Sequence, residues 1–190
     1  MAYGANILTN SDAETQDTTG WIVTPLSSVT VVENQTTGTR YIPFPDDRDK
    51  WISREHILSL LGAAGDYSFI FSENSQMDQT LYASDIGSQP VSFQLIGKYK
   101  LEDAQSNWDT NVLGIISLTI YYTNSTKDHF IIPCIRGATH ADRNLTNWWI
   151  LVYNICTIAA GKTIDYVTIT AKTVSCPQIL NIDYIELRKE

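Results

Sequence analysis

Residues 91–101 read VSFQLIGKYKL. Side chains along an extended strand point alternately to opposite faces. Val91, Phe93, Leu95, Tyr99 and Leu101 therefore share one face with Gly97, while Ser92, Gln94, Ile96, Lys98 and Lys100 share the other. The pattern predicts a strand with an apolar core face and a largely polar outer face. A second stretch repeats it, with Ile116, Leu118, Ile120 and Tyr122 inward and Ser117, Thr119 and Tyr121 outward. Antiparallel sheets with one solvated face alternate in this way.

Outward from these two segments, short runs rich in Val, Ile, Tyr and Thr lie at 21–33, 66–72, 78–83, 128–134, 148–157, 163–173 and 179–188, separated by Gly, Pro, Asn, Asp and Ser. Such spacing predicts an all-β sandwich of two antiparallel sheets. Only Lys50 to Leu61 has helical spacing, through Trp51, Arg54, Ile57, Leu58 and Leu61 ahead of Gly62, which predicts one short helix. The preceding YIPFPDDRDK, with two prolines and three aspartates, reads as an ordered loop.

The 190 residues fit a single domain spanning 1–190. Charged residues make up 18% and hydrophobic ones 43%, a balance that argues against disorder. The net charge of -8 repels phosphate backbones and anionic lipid, so neither nucleic acid nor membrane surfaces are expected partners. No run of about eighteen apolar residues occurs, and MAYGANILTN lacks the basic start and apolar stretch of a signal peptide. Cys134, Cys156 and Cys176 belong to no metal-binding spacing, and they are read either as buried free thiols or as one bridge plus a thiol.

Catalytic signatures do not emerge. There is no HExxH, GxSxG or glycine-rich phosphate loop, and His56, His129 and His140 are isolated, although Asp142 follows His140 closely enough for a His/Asp pair to be conceivable. The expectation is a protein that binds and does not catalyse.

Both ends of the chain carry a further signal. Asn6-Ile-Leu-Thr-Asn10-Ser-Asp-Ala-Glu14, followed by Gly20-Trp21, resembles the opening of jelly-roll carbohydrate-binding modules of the galactose-binding-domain-like type. Leu180-Asn-Ile-Asp183-Tyr-Ile185-Glu-Leu187 resembles their closing strand. GDYSFIF at 65–71, MDQTLYASDI at 77–86 and the stretch from Trp148 to Gly161 fit the middle strands, so the resemblance covers nearly the whole chain. It implies a jelly roll with adjacent chain ends and a structural calcium ion between the N-terminal segment and the closing strand.

Glu14 and Asp183 match the acidic positions of that pattern and are the implied metal ligands. Asp12 and Asp17 are near enough in sequence to add oxygens. The alternative use of Glu14 and Asp183 is turn capping or pairing with Arg or Lys.

The resemblance also implies a glycan or polysaccharide ligand, with other surface or virion proteins as further partners. Sugars offer C–H faces to aromatic rings and hydroxyls to polar groups. Tyr82 and Tyr121 on polar strand faces, and Trp51 and Trp108 in or beside loops, are the stacking candidates. Gln94 and Lys98 are the expected hydroxyl partners. The alternative function is a structural, assembly or adhesion protein of a phage particle or of a bacterial or spore surface, using the same sandwich for protein contacts. Either role places the protein outside the cell, at its surface or on a virion.

Overall fold

The computed structural model describes residues 3–26, 28–33, 39–41, 67–90, 92–102, 112–135, 149–174 and 179–190. Its elements are β1 (Ile22–Thr24), β2 (Val29–Glu33), β3 (Thr39–Tyr41), β4 (Tyr67–Phe71), β5 (Gln76–Tyr82), α1 (Ala83–Ile86), β6 (Ser92–Glu102), β7 (Val112–Tyr122), β8 (Lys127–Ile135), β9 (Trp149–Thr157), β10 (Ile164–Thr173) and β11 (Ile179–Lys189). Five strands form one sheet in the order β1-β5-β10-β7-β8, and six form the other in the order β2-β4-β11-β6-β9-β3. The result is the expected all-β sandwich. Every strand pairing is antiparallel except that of β3 with β9 at one edge, which is parallel. The run at 21–33 divides at Pro25, which follows a cis bond from Thr24, so that β1 and β2 enter different sheets. Proline lacks an amide donor and suits such a break. Helix α1 was not predicted, and the expected helix at 50–61 lies outside the described residues.

The core fills the space between the sheets. The six-stranded sheet contributes Phe69, Phe71, Phe93, Leu95 and Tyr99, and the five-stranded sheet Met77, Ile116, Leu118, Ile120, Val167 and Ile169, all fully buried. Each such side chain contributes about 1.5–3 kcal/mol on leaving water. At Gly97 the sheets approach so closely that a Cβ would overlap the terminal methyl of Ile116, and that buried side chain would have to turn aside to admit one.

One expectation about β6 is corrected. Its second face is not solvated, because Ser92, Gln94, Ile96, Lys98 and Lys100 are all buried. Strand β6 lies mid-sheet between β11 and β9, and Ile96 joins Leu151 and Tyr153 in a second apolar cluster against which Ile155 and Tyr184 pack. The polar members of this face are compensated by internal partners. Ser92 Oγ donates to Glu190 Oε2 at 2.8 Å and meets Tyr3 Oη at 3.0 Å, and Lys98 Nζ bonds Asp183 Oδ2 at 2.7 Å.

Strand β11 changes phase along its length. Leu180 and Ile182 face the core opposite Leu101 and Tyr99, Asp183 is an extra residue, and Ile185 and Leu187 then face the core opposite Gly97 and Leu95. Strand β4 pairs with β11 only through Leu180–Ile182. Beyond that point the N-terminal segment takes over. Gly4 and Ile7 donate backbone N–H bonds to the carbonyls of Lys189 and Leu187, Asn6 Oδ1 accepts from the Leu187 amide, and Ile185 donates to the Ser11 carbonyl. The chain ends are thus laid side by side, as expected.

Cys134 and Cys156 are buried and unbridged. Burial pushes both thiols up from their ordinary range, which disfavours the reactive thiolate. Cys176 lies outside the described residues. A Cys176→Ser variant is expected to resist a thiol reagent while native and to label two thiols per chain once denatured. Rapid native labelling would contradict the burial.

Candidate functional site

The outer face of the five-stranded sheet is built by period-two alternation on three adjacent strands. While Met77, Val167, Ile169, Ile116, Leu118 and Ile120 enter the core, Gln76, Asp78, Thr80 and Tyr82 of β5, Tyr166, Thr168 and Thr170 of β10, and Ser117, Thr119 and Tyr121 of β7 take the opposite face. Register aligns them in rows. Tyr82 stands opposite Tyr166, and Tyr166 opposite Tyr121. The rings of Tyr121 and Tyr166 stack with centroids 4.4 Å apart and planes 17° apart, whereas Tyr82 is tilted 49° from Tyr166 at 6.1 Å. The row spans two strand spacings, roughly 10 Å. Tyr82 is 58% exposed, the greatest exposure of any described aromatic side chain.

Polar rows lie beside the tyrosines. Thr80 Oγ1 and Thr168 Oγ1 are 3.2 Å apart, and Thr119 Oγ1 is 2.8 Å from His129 Nδ1 on β8. In the next row Thr170 Oγ1 donates to Asp78 Oδ1 at 2.5 Å, and Gln76 Nε2 donates to Asp78 Oδ2 at 2.6 Å. The tyrosine end of the face is braced from below. Tyr122 Oη donates to Asp128 Oδ2 at 2.6 Å, and Lys162 Nζ bonds the same carboxylate at 2.9 Å while lying 4.3 Å from the Tyr122 ring centroid. The Tyr122 hydrogen bond, followed by that of Lys162, holds the Asp128 carboxyl below its usual range.

Such a face can bind without reacting. Tyr166 stands between Tyr121 and Tyr82, so the stacked pair offers its edges, its hydroxyls and the outer face of Tyr121 to a ligand, and the tilted Tyr82 offers the most open ring. Hydroxyls follow two residues along each of the three strands, at Thr80, Thr168 and Thr119, with the His129 imidazole beside Thr119 and the Asp78 carboxylate four residues from Tyr82.

The expected site residues separate accordingly. Tyr82 and Tyr121 fall in one row, joined by Tyr166, which sequence reading missed. Its signal was present, since TIDYVTIT alternates from Val167 onward and places Tyr166 with Thr168 and Thr170, away from the core. Gln94 and Lys98 belong to the other sheet and are buried, so neither can meet a surface ligand. Trp51 and Trp108 lie outside the described residues.

The implied metal ligands occupy a different part of the molecule, where the N-terminal segment crosses β11. Glu14 is exposed, and its Oε1 accepts the Tyr67 amide at 3.1 Å. Asp12 Oδ1 accepts the Glu14 amide at 3.4 Å. Both oxygens of Asp17 are engaged in a local turn with Thr15 and Thr19, whose backbone bond chiefly lowers the carboxyl from its ordinary value.

Asp183 is fully buried against the ammonium of Lys98, and its Oδ1 has no hydrogen-bond partner. Burial raises the carboxyl to about 6 against the pull of Lys98, and Glu14 and Asp12 push the same way. Calcium takes six to eight oxygens. Among the described residues no group of three or more acidic, His or Cys donors is gathered, and a positive charge already sits on Asp183. As placed, these residues do not fit a calcium ion.

No family model matches the sequence, and no curated protein matches it. Solved structures do. The CBM22-1 xylan-binding domain of Paenibacillus barcinonensis Xyn10C is similar over 100% of this chain and 97% of its own, with a TM-score of 0.58 and 10% identity. The chain has the fold of a jelly-roll carbohydrate-binding module. TmCBM61, solved with β-1,4-galactotriose, is similar over 98% of this chain and 100% of its own, with a TM-score of 0.52 and 14% identity. The enzymatically active domain of bacteriophage CBA120 tailspike protein 4 is also similar, with a TM-score of 0.57 and 14% identity. That likeness covers 98% of this chain but only 22% of the tailspike chain. Among the described residues no helix is long and apolar enough to cross a membrane.

Proposed function

We propose that the chain binds a glycan on the outer face of its five-stranded sheet, through the row Tyr82, Tyr166 and Tyr121. The observation that carries this reading is three aromatic side chains aligned by register at one end of a sheet face, beside rows of threonine and aspartate. A ring's apolar face suits sugar C–H groups, and the Thr80, Thr168, Thr119, His129 and Thr170 groups beside it suit sugar hydroxyls. The fold shared with a xylan-binding domain and with a module solved on galactotriose supports the same reading. On a shallow face, stacking and a few hydrogen bonds must exceed the lost translational and rotational freedom, so the affinity is on the order of micromolar to millimolar. A glycan-binding role goes with an extracellular, cell-surface or virion setting, and the likeness to a phage tailspike domain supports the same setting.

Affinity electrophoresis through xylan and β-1,4-galactan gels, together with a broad glycan array, tests the proposal. Retardation or array binding that disappears in a Tyr82→Ala/Tyr166→Ala double variant is the expected result. Silence in every format overturns it. That outcome favours the second reading, a particle or surface assembly protein, supported by the likeness to the tailspike domain and by Ile22 and Leu26, which are 69% and 88% exposed.

A further inference from the structure

We propose that the ammonium of Lys98 is the resident cation of the acidic junction between the chain ends, standing where the resemblance implies a metal, so that this junction holds without calcium. The argument begins with β11. Its inserted residue, Asp183, lies where the core phase switches, next to Tyr184, which stands opposite Lys98 on β6. Lys98 reaches across to place Nζ 2.7 Å from Asp183 Oδ2, with both side chains wholly out of solvent, and Nζ lies 5.5 Å from the Tyr184 ring centroid.

The N-terminal segment brings two more carboxylates toward the same place. Ser11 is fastened to Ile185 by a 2.9 Å backbone bond, and Asp12 and Glu14 follow it close enough to act electrostatically on Asp183. The buried Asp183 carboxylate requires a positive charge at its side, and the negative charges of Asp12 and Glu14 nearer the surface add to that need. A fixed ammonium supplies it from the chain itself and puts like charge where a divalent ion would have to sit. The reading is independent of the glycan proposal, since the junction and the tyrosine row belong to different sheets.

Melting curves of the full chain in EDTA and in millimolar calcium test it. The wild type should melt at the same temperature in both, and metal analysis should find no stoichiometric calcium. Lys98→Met keeps the stem's bulk and removes the charge, leaving Asp183 buried and unpaired. It is expected to lower the melting temperature by roughly 6–20 °C. Lys98→Met/Asp183→Asn, which neutralises both members, should recover most of that loss, and it remains informative if the single variant does not fold. A wild-type melting temperature that falls in EDTA and returns with calcium overturns the proposal. So does a Lys98→Met variant as stable as the wild type.

Discussion

Tyr82→Ala is expected to weaken retention on a bound polysaccharide at least tenfold, equivalent to about 1.4 kcal/mol, while leaving the melting temperature within roughly 2 °C of wild type. Both halves follow from where the ring stands. At 58% exposure it gives little apolar area to the core, so removing it leaves no cavity. It is also the row's open ring, tilted away from the stacked pair Tyr166 and Tyr121. Tyr166→Ala should be more severe, because it removes the ring that positions both neighbours. Gln94→Ala supplies the contrast. With its side chain buried in the other sheet, that change should alter stability and leave retention alone. Equal retention by wild type and Tyr82→Ala in affinity electrophoresis would remove the tyrosine row from the binding face.

Phe69→Ala is the converse experiment, with its expected effect entirely on stability. Phe69 is fully buried on β4, opposite Val31 of β2 and Ile182 of β11, and Trp21 meets it edge-on at 6.2 Å and 65°. Truncation removes a large apolar surface and leaves a cavity flanked by β2 and β11, at a cost of about 3–5 kcal/mol. For a chain of this size the melting temperature should fall by roughly 6–20 °C, read by calorimetry or circular dichroism. A loss under about 1 kcal/mol would mean that the neighbouring strands collapse into the space.

What could be read ahead of the structure divides along a physical line. Period-two alternation in β6 and β7 states which residues share a face, and it located Ile116, Leu118 and Ile120 inside and Tyr121 outside. It does not state which faces are covered, because that depends on a strand's place in its sheet. Gln94 and Lys98 were therefore read as surface groups, although β6 lies mid-sheet beneath a second apolar cluster. Tyr82 and Tyr121 could be proposed one at a time. Their union through Tyr166 is a matter of register between strands more than forty residues apart, which no local pattern encodes. For Asp183 the alternative of pairing with a lysine was open from the sequence, but its partner lies 85 positions away.

The extra residue in β11 also governs how the closing strand can be threaded. A strand of strict alternation can slide by two residues and present the same faces, so its alignment is only as secure as its contacts. Strand β11 instead joins two half-strands of opposite phase, with apolar side chains at Leu180 and Ile182 and then at Ile185 and Leu187. Any slip would carry the step in phase away from Lys98, leave Asp183 buried without its counter-charge, and turn Tyr184 or Glu186 toward the core. The bulge works as an index mark. It admits one alignment of the last strand against β6 and, through Ser11 and Ile185, one position for the first residues of the chain.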